Sequence, residues 1–459
     1  MIAWTLAEVA AAVGGTRHGA DAAFTGVSTD TRTLAPGQLY VALKGPNFDG
    51  HAFLTRAREC GAAAALQSAA PVAGLPCVQV ADTRAALGAL AAAWRARFVL
   101  PVVGVTGSNG KTTVKEMLAA MFAAAGPALA TAGNLNNDIG VPLTLFGLGG
   151  EHRYAVIEMG ANHPGEIAAL AGLARPTAAV VTNAAPAHLE GFGTLEGVAR
   201  AKGELFSALP GDGLAVYNLD DEFAPLWREL IGNRRAVSFS VHGQGDVHAM
   251  PASLRIEFEP ETRMAFELMT PRGRYTLRTT LLGAHNVSNA VAAAAVALGV
   301  GLDVEHVYKG LLALRPLPGR MFPITLRRGV TVVDDTYNAN PASLDAALRV
   351  LREMPGRRIL VLGDMGELGD AAADWHATAG DRARLLDVDE VYTVGAFSRL
   401  AGERFGPGGV HFPHKDALLA ALRERLDGAG HLPLSILVKG SRRAGMEQIV
   451  AALTPAEEP

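Results

Sequence analysis

The chain has 459 residues, of which 49% are hydrophobic and 19% charged, with a net charge of −4. That length exceeds what one hydrophobic core organises and predicts about two to four domains of roughly 100 to 200 residues each. The charge balance offers no basic field for nucleic acid, and the two cysteines, Cys60 and Cys77, build neither a disulfide framework nor a four-thiolate zinc site, which suits a reducing cytoplasm.

At the front, Thr5-Leu6-Ala7-Glu8 reads as a capping box opening a short helix that Gly14-Gly15 ends. The first arginine is Arg17, so no basic segment precedes it and no signal peptide is expected. The weakly polar runs Met117 to Gly133 and Ala290 to Leu302 are alanine-rich, interrupted and too short to span a bilayer, so membrane insertion is not expected. Up to about Leu100, β-like runs at 38–43 and 77–80 alternate with helical stretches such as 83–97, which predicts a small α/β domain over 1–99.

From Pro101 a buried strand at 102–106, a glycine-rich loop, a helix from Thr112 and strands at 154–159 and 178–182 predict a doubly wound parallel sheet. Residues 247–282 alternate apolar and polar and read as antiparallel hairpins, followed by a helix over 284–298 that Gly299 stops. The second domain is therefore expected over 100–314. Arg315-Pro316-Leu317-Pro318-Gly319-Arg320, stiffened by two prolines and with one pliable glycine, is the best linker and a plausible hinge. Beyond it, strand-like runs at 331–335, 358–363, 390–394 and 435–438 are separated by helical patterns, which predicts a Rossmann-like domain over 315–459. The last residues, 454–459, read as a disordered tail.

The strongest chemical signal is Gly104-Val-Thr-Gly-Ser-Asn-Gly-Lys-Thr-Thr113, set between a strand and a helix. There, backbone N–H groups can wrap a phosphate at the positive end of the helix. Gly107 and Gly110 permit close approach, Ser108, Asn109 and Thr113 complete the loop, Lys111 can reach the β- and γ-phosphates of ATP, and the Thr112 hydroxyl can ligate Mg²⁺. The spacing departs from the usual phosphate-loop pattern, because Val105 occupies the place of its first glycine. Glu158, at the carboxyl end of the next strand, is the expected second magnesium ligand. His188 follows another strand end and could ligate or orient the metal, although a lone loop histidine also fits a surface role. The amide cluster Asn134, Asn136 and Asn137 offers neutral donors and acceptors to a sugar or peptide substrate, or forms an asparagine-rich loop.

The loop at 107–113, Glu158, Asn183 with His188, Ala201-Lys202-Gly203-Glu204-Leu205-Phe206 and His285-Asn286-Val-Ser-Asn289 together resemble the Mur ligase family in order and approximate spacing, over essentially the whole chain. The resemblance implies that Lys202 is carbamylated by CO₂ and becomes a magnesium-directed oxygen donor, with His188 on the same metal. It makes Asn286 an adenine contact with His285 and Asn289 beside it, where the bland reading of Asn286 and Asn289 is a helix cap. Arg320 and Asp335 resemble elements that reach back to ATP.

Three further stretches, Asp335-Thr-Tyr-Asn-Ala-Asn-Pro-Ala-Ser343, Leu362-Gly-Asp-Met-Gly-Glu-Leu-Gly369 and Val438-Lys-Gly-Ser-Arg442, look like the D-alanyl-D-alanine-adding branch, and no Asp-Asn-Pro-Arg element is present. Asn183, Asn338, Asn340, Lys439 and Ser441 are thereby candidate substrate contacts. Val27-Ser-Thr-Asp-Thr-Arg32 and the run from Pro36 to His51 resemble a uridine-nucleotide domain, which makes Ser28, Asp30, Arg32 and Lys44 candidate contacts to a UDP-sugar. Without the resemblance they are turn residues and solvated charges.

The implied substrates are UDP-N-acetylmuramoyl-tripeptide and D-alanyl-D-alanine, joined through an acyl phosphate made with ATP and Mg²⁺. Phosphoryl transfer needs charge neutralisation and alignment rather than a protein nucleophile, which matches an inventory of Lys111, loop N–H groups and metal ligands. A monomer that closes about residues 315–319 is expected. The rival readings are a Mur-like ligase of the folylpolyglutamate or cyanophycin type, which lacks such an N-terminal domain, and an ATP-switched binding protein.

Overall fold

A computed structural model describes residues 4–45, 48–186, 189–257, 263–314, 318–327, 329–428, 430 and 432–454, with only the backbone for 189 and 190. Three sheets dominated by parallel pairing follow one another along the chain. The proposed hinge residues 315–317, His188 and the terminal residues 455–459 lie outside the described residues.

The first sheet orders Thr16–His18, Cys77–Gln79, Ala64–Gln67, Leu39–Val41 and Val27–Ser28, antiparallel only at its first pair. The expected capping box is present: Thr5 accepts from the Glu8 N–H, the Glu8 carboxylate accepts from the Thr5 N–H at 2.9 Å, and Gly14 ends the helix Leu6–Val13 at φ 64°. The helix Thr83–Arg95, capped by Asp82, carries Leu87, Leu90 and Trp94 into a core shared with the next domain. Its Arg95 is buried and donates to the carbonyls of Ala174 at 2.8 Å and Phe98 at 2.7 Å, so the guanidinium ties the two domains with no counter-ion among the described residues.

Among the described residues the second sheet has ten strands. Ala128–Ala130, Tyr154–Glu158, Val102–Thr106, Ala178–Val181, Leu214–Asn218, Arg235–Ser240 and Val247–Ala249 run parallel in that order. Arg255–Glu257, Arg263–Thr270 and Gly273–Thr279 extend it as antiparallel hairpins. Strands covered on both faces need continuous apolar runs, and Val102–Thr106 and Ala178–Val181 are buried throughout. Leu214–Asn218 and Arg235–Ser240 were not expected from the sequence, their apolar runs being too short to show a period. The alanine-rich helix Ala284–Gly299 is enclosed by this sheet and the helix Lys111–Ala125; small side chains let it lie close to both.

The third sheet orders Phe322–Arg327, Val330–Asp335, Leu434–Lys439, Arg357–Gly363, Glu390–Val394 and Gly409–Phe412, parallel after its antiparallel first pair. Separate cores cover its two faces. The carboxyl ends of Val102–Thr106, Tyr154–Glu158 and Val330–Asp335 all deliver residues to one cleft.

Candidate active site

The phosphate loop is bracketed by its neighbours. Ser108 donates its N–H to the Asn183 carbonyl at 3.0 Å, and the Asn183 side chain both accepts from the Asn109 N–H and donates to the Asn109 carbonyl. Gly107 sits at φ 143° and Gly110 at φ 81°, where side chains would meet Thr182 and Asn289 respectively. Lys111 Nζ donates to the loop carbonyls of Gly107 at 2.8 Å and Ser108 at 3.1 Å. Burial lowers the Lys111 pKa, opposed by the Glu158 charge. Such a cation, held over the mouth of the loop and poor in carboxylate partners, is suited to a phosphate.

Glu158 is 1% exposed; its Oε1 accepts from Asn136 Nδ2 at 2.8 Å, while its Oε2 has no partner among the described residues. An unpartnered buried carboxylate oxygen is costly, and a divalent cation would offset that cost. Thr112 Oγ1 accepts from Arg320 Nη2 at 3.1 Å, leaving a further lone pair for a metal. Lys202, on the helix Leu195–Ser207, is 2% exposed. Its ammonium donates to the Ala161 carbonyl at 3.3 Å and lies 5.2 Å from the Phe192 ring centre. Burial first, and the Lys111 charge second, push its pKa down to about 7. No cluster of three or more His, Cys, Asp or Glu that could hold a metal ion exists among the described residues.

The opposite wall comes from the third domain and the helix Ala284–Gly299. Asn286 donates to the Leu282 carbonyl at 2.9 Å and Asn289 donates to Asn286 Oδ1 at 3.2 Å, so each amide is held in one orientation. Desolvation pushes His285 down to about 4 and keeps its ring neutral at pH 7. The Arg320 guanidinium stacks 4.0 Å from the Tyr337 ring centre. Buried Lys439 pairs with Asp335 and donates to the Asn338 carbonyl at 3.0 Å, while Asp335 Oδ1 accepts from the Met321 N–H. Asn340 caps the helix Pro341–Glu353 through the Ser343 N–H, and its Nδ2 reaches Asn109 Oδ1 across the cleft.

Most of these residues line a cavity of about 540 Å³, while Gly107 and Lys202 lie outside its lining. Of the sequence-derived candidates, Ser108 to Thr113, Asn136, Glu158, Asn183, His285, Asn286, Asn289, Arg320, Asp335, Asn338, Asn340 and Lys439 line it. Asn134 and Asn137 do not: both are exposed, and the Asn137 side-chain oxygen accepts from the Ile139 N–H at 3.2 Å and the Gly140 N–H at 2.8 Å. Ser441 is buried outside the cavity lining, donating its N–H to the Asp364 carbonyl. Ser28, Asp30, Arg32 and Lys44 lie on the first domain away from the cavity; Arg32 grips Asp30 through paired hydrogen bonds that hold that carboxyl at about 2. Tyr337 and Glu367 line the cavity but were not singled out, although both fall inside the quoted stretches at 335–343 and 362–369. Their neighbours drew attention as amides, while an exposed tyrosine and glutamate carry no signal of their own.

Such a cleft, with a phosphate loop on one side and a cationic Rossmann-like wall on the other, defines a nucleotide-dependent enzyme. Family profiles agree: "Mur ligase family, catalytic domain" matches residues 23–95, "Mur ligase middle domain" 105–297 and "Mur ligase, glutamate ligase domain" 319–454. The chain belongs to the Mur ligase family.

Within it, the chain is 46% identical over 453 residues to the UDP-N-acetylmuramoyl-tripeptide--D-alanyl-D-alanine ligase of Escherichia coli, covering 99% of each. A crystal structure of MurF from Acinetobacter baumannii is 36% identical with TM-score 0.92, covering 99% of each chain. That of MurF ligase from Thermotoga maritima in complex with ADP is 28% identical with TM-score 0.80, over 93% of this chain and 96% of that one. Among the described residues no helix is long and apolar enough to cross a membrane.

Proposed function

We propose that this chain adds D-alanyl-D-alanine to UDP-N-acetylmuramoyl-tripeptide at the expense of ATP, giving the UDP-linked pentapeptide precursor of peptidoglycan and so serving wall biogenesis, cell shape and division. The observation that carries the reading is similarity along the full length of both chains to a ligase of that name, including the domain that distinguishes it from folylpolyglutamate-type enzymes. The domains divide at 1–99, 100–314 and 315–459, with the UDP-sugar on the first, ATP between the second and third, and the dipeptide on the third.

A carboxylate is a poor electrophile, so the γ-phosphoryl of ATP first passes to the tripeptide carboxylate, and the dipeptide amine then displaces phosphate. Gly107 to Thr113 cradle the phosphates, with Lys111 leaving its loop carbonyls to neutralise them. Asn286, Asn289 and His285 hold the adenine, and Arg320 and Asp335 close over the nucleotide from the third domain. Asn338, Asn340 and Lys439 face the dipeptide. Asn136 orients Glu158 rather than serving the substrate alone.

Mg²⁺ fits the unpartnered Glu158 Oε2 and the Thr112 hydroxyl, and when bound it neutralises charge on the transferred phosphoryl group. An amine held near 7 is half neutral at physiological pH, which suits Lys202 to attack CO₂ with formation of the N–C bond and loss of a proton; the resulting carbamate would offer oxygens to a metal ion. His188 is the expected partner there. The enzyme works in the cytoplasm as a monomer.

Phosphate release is to be measured with ATP, Mg²⁺ and UDP-N-acetylmuramoyl-tripeptide, with and without D-alanyl-D-alanine, while mass spectrometry follows the UDP-linked product. The expected result is a product heavier by one dipeptide and phosphate release requiring both substrates. Phosphate release indifferent to both would favour an ATP switch instead.

A further inference from the structure

The phosphate loop receives one of its cations from the third domain, and mutual repulsion comes with it. Arg320 Nη2 donates to Thr112 Oγ1 at 3.1 Å, beside Lys111, whose ammonium sits on the Gly107 and Ser108 carbonyls. Burial is the main cause that lowers the Lys111 pKa; the Glu158 charge opposes it, and the Arg320 charge adds to it. Two like charges held this close repel until an anion arrives between them. Lys111 has its loop carbonyls as partners, and the Arg320 guanidinium rests on an aromatic ring.

That ring belongs to Tyr337. Arg320 Cζ stands over it, 4.0 Å from the centre, inside the range in which the negative face of an aromatic ring attracts a cation. The Arg442 guanidinium, 6.0 Å from the same centre, lies at the edge of that range. Tyr337 lines the cleft and keeps 38% of its surface exposed, so its ring does not serve a hydrophobic core.

The backbone on either side of Arg320 builds the stack. Gly319 donates its N–H to Asp334 Oδ2 at 2.8 Å, and its carbonyl accepts from the Tyr337 N–H at 2.9 Å. Met321 donates its N–H to Asp335 Oδ1 at 3.1 Å. Through both neighbours Arg320 is laced to the strand end that carries Tyr337. Both neighbours are in the left-handed region, Gly319 at φ 78° and Met321 at φ 52°. A side chain on Gly319 would press on Tyr337, meeting its backbone nitrogen at 3.1 Å and its Cβ at 3.2 Å. At buried Met321 the conformation is strained, and it persists because the surroundings enforce it. Arg320 and Tyr337 thus form one unit of the third domain, while Thr112 belongs to the second.

We propose that Tyr337 is a positioning residue for the nucleotide: its ring holds the Arg320 guanidinium in place so that a fixed cation meets the phosphates at Lys111 and Thr112. Fixing the cation beforehand removes the side-chain ordering that a loose arginine would undergo on binding. Tyr337 itself touches the guanidinium rather than the phosphates. The inference rests on the reading of the nucleotide site proposed above.

The test weakens the face of the ring and keeps its shape. Tyr337→Phe is compared with mono-, di- and trifluorinated phenylalanine at the same position, which differ mainly in the charge on the face. ADP affinity in Mg²⁺ is titrated calorimetrically, and kcat/KM for ATP is measured with UDP-N-acetylmuramoyl-tripeptide and D-alanyl-D-alanine. Both are repeated in an Arg320→Met background. Tyr337→Leu is expected to weaken ADP binding about tenfold, Tyr337→Phe to recover most of that loss, and fluorination to lower affinity stepwise, with kcat/KM following. The steps should vanish with Arg320→Met, because the ring acts through the guanidinium. Affinity indifferent to fluorination would overturn the proposal. So would a stepwise loss that persists without Arg320, the result for a ring stacked on the base itself. A wild type that binds ADP and shows the steps but forms no UDP-linked dipeptide product would sink the ligase reading and leave this inference standing.

Discussion

Asn340 Nδ2 donates to Asn109 Oδ1 at 2.9 Å, joining the third domain to the phosphate loop across 231 residues of chain. The same Asn340 accepts from the Ser343 N–H at 2.8 Å, so one side chain caps a helix with its oxygen and clasps the loop with its nitrogen. The two roles separate by substitution. Asn340→Asp keeps the capping oxygen but sets a carboxylate against Asn109 Oδ1; it is expected to leave the melting temperature nearly unchanged and raise KM for ATP severalfold. Asn340→Ala loses both and should also be less stable by about 1 kcal/mol. Thermal melts beside ATP titrations check this, and an Asn340→Asp variant with ordinary ATP kinetics would show that the clasp is incidental.

Lys202 predicts a pH-dependent stability. Its folded-state pKa of about 7 lies below the ordinary lysine value of 10.5. Between those values the unfolded chain binds more protons than the folded one, so stability rises with pH, and the cost of burying the ammonium is full below pH 7. In CO₂-free buffer, Lys202→Met should therefore be more stable than wild type by on the order of a few kcal/mol at pH 6, with the gap narrowing at pH 9. Denaturant midpoints at the two pH values measure it; a gap that does not change with pH would mean that the amine is solvated. Activity of wild type should fall when CO₂ is removed and return when bicarbonate is added.

Glu158 predicts how the metal is held. Mg²⁺ should raise the wild-type melting temperature in the presence of ADP, and Glu158→Gln should abolish that shift, because the amide lacks the charge that the unpartnered Oε2 supplies. Losing the metal's several kcal/mol of charge stabilisation should lower kcat/KM about a hundredfold or more. Asn136→Ala keeps the carboxylate but frees it to rotate, so a smaller loss is expected. A Glu158→Gln enzyme with an intact Mg²⁺ shift would place the metal elsewhere.

Much of this was legible in the sequence where chemistry is local. The Thr5–Glu8 box, the strand at 102–106 and the glycines at 107 and 110 declare themselves within a few residues of chain. Pairings closed by the fold do not: Asn136 with Glu158, Asn109 with Asn340 and Lys439 with Asp335 bridge segments that no spacing rule connects. The parallel strands Leu214–Asn218 and Arg235–Ser240 escaped because a short apolar run has no period to distinguish it from a buried helical turn. Asn137 turns its side-chain oxygen to the Gly140 N–H, since an asparagine's amide serves local backbone bonding as readily as a ligand.

Gly110 tests the phosphate loop itself. At φ 81° it is in the left-handed region, and a methyl group there would run into the amide of Asn289, itself held by Asn286. Gly110→Ala therefore carries backbone strain of about 1–2 kcal/mol and a steric conflict on top of it, and ADP affinity should fall by roughly tenfold or more. The two contributions can be told apart by the double variant. Asn289→Ala opens the space beneath the new methyl but leaves φ strained, so Gly110→Ala/Asn289→Ala should lose less affinity than the sum of the single variants. Calorimetric titration with ADP and Mg²⁺ across the four proteins measures that coupling. Strictly additive losses would mean that backbone conformation alone demands glycine, and that Asn289 does not shape the loop.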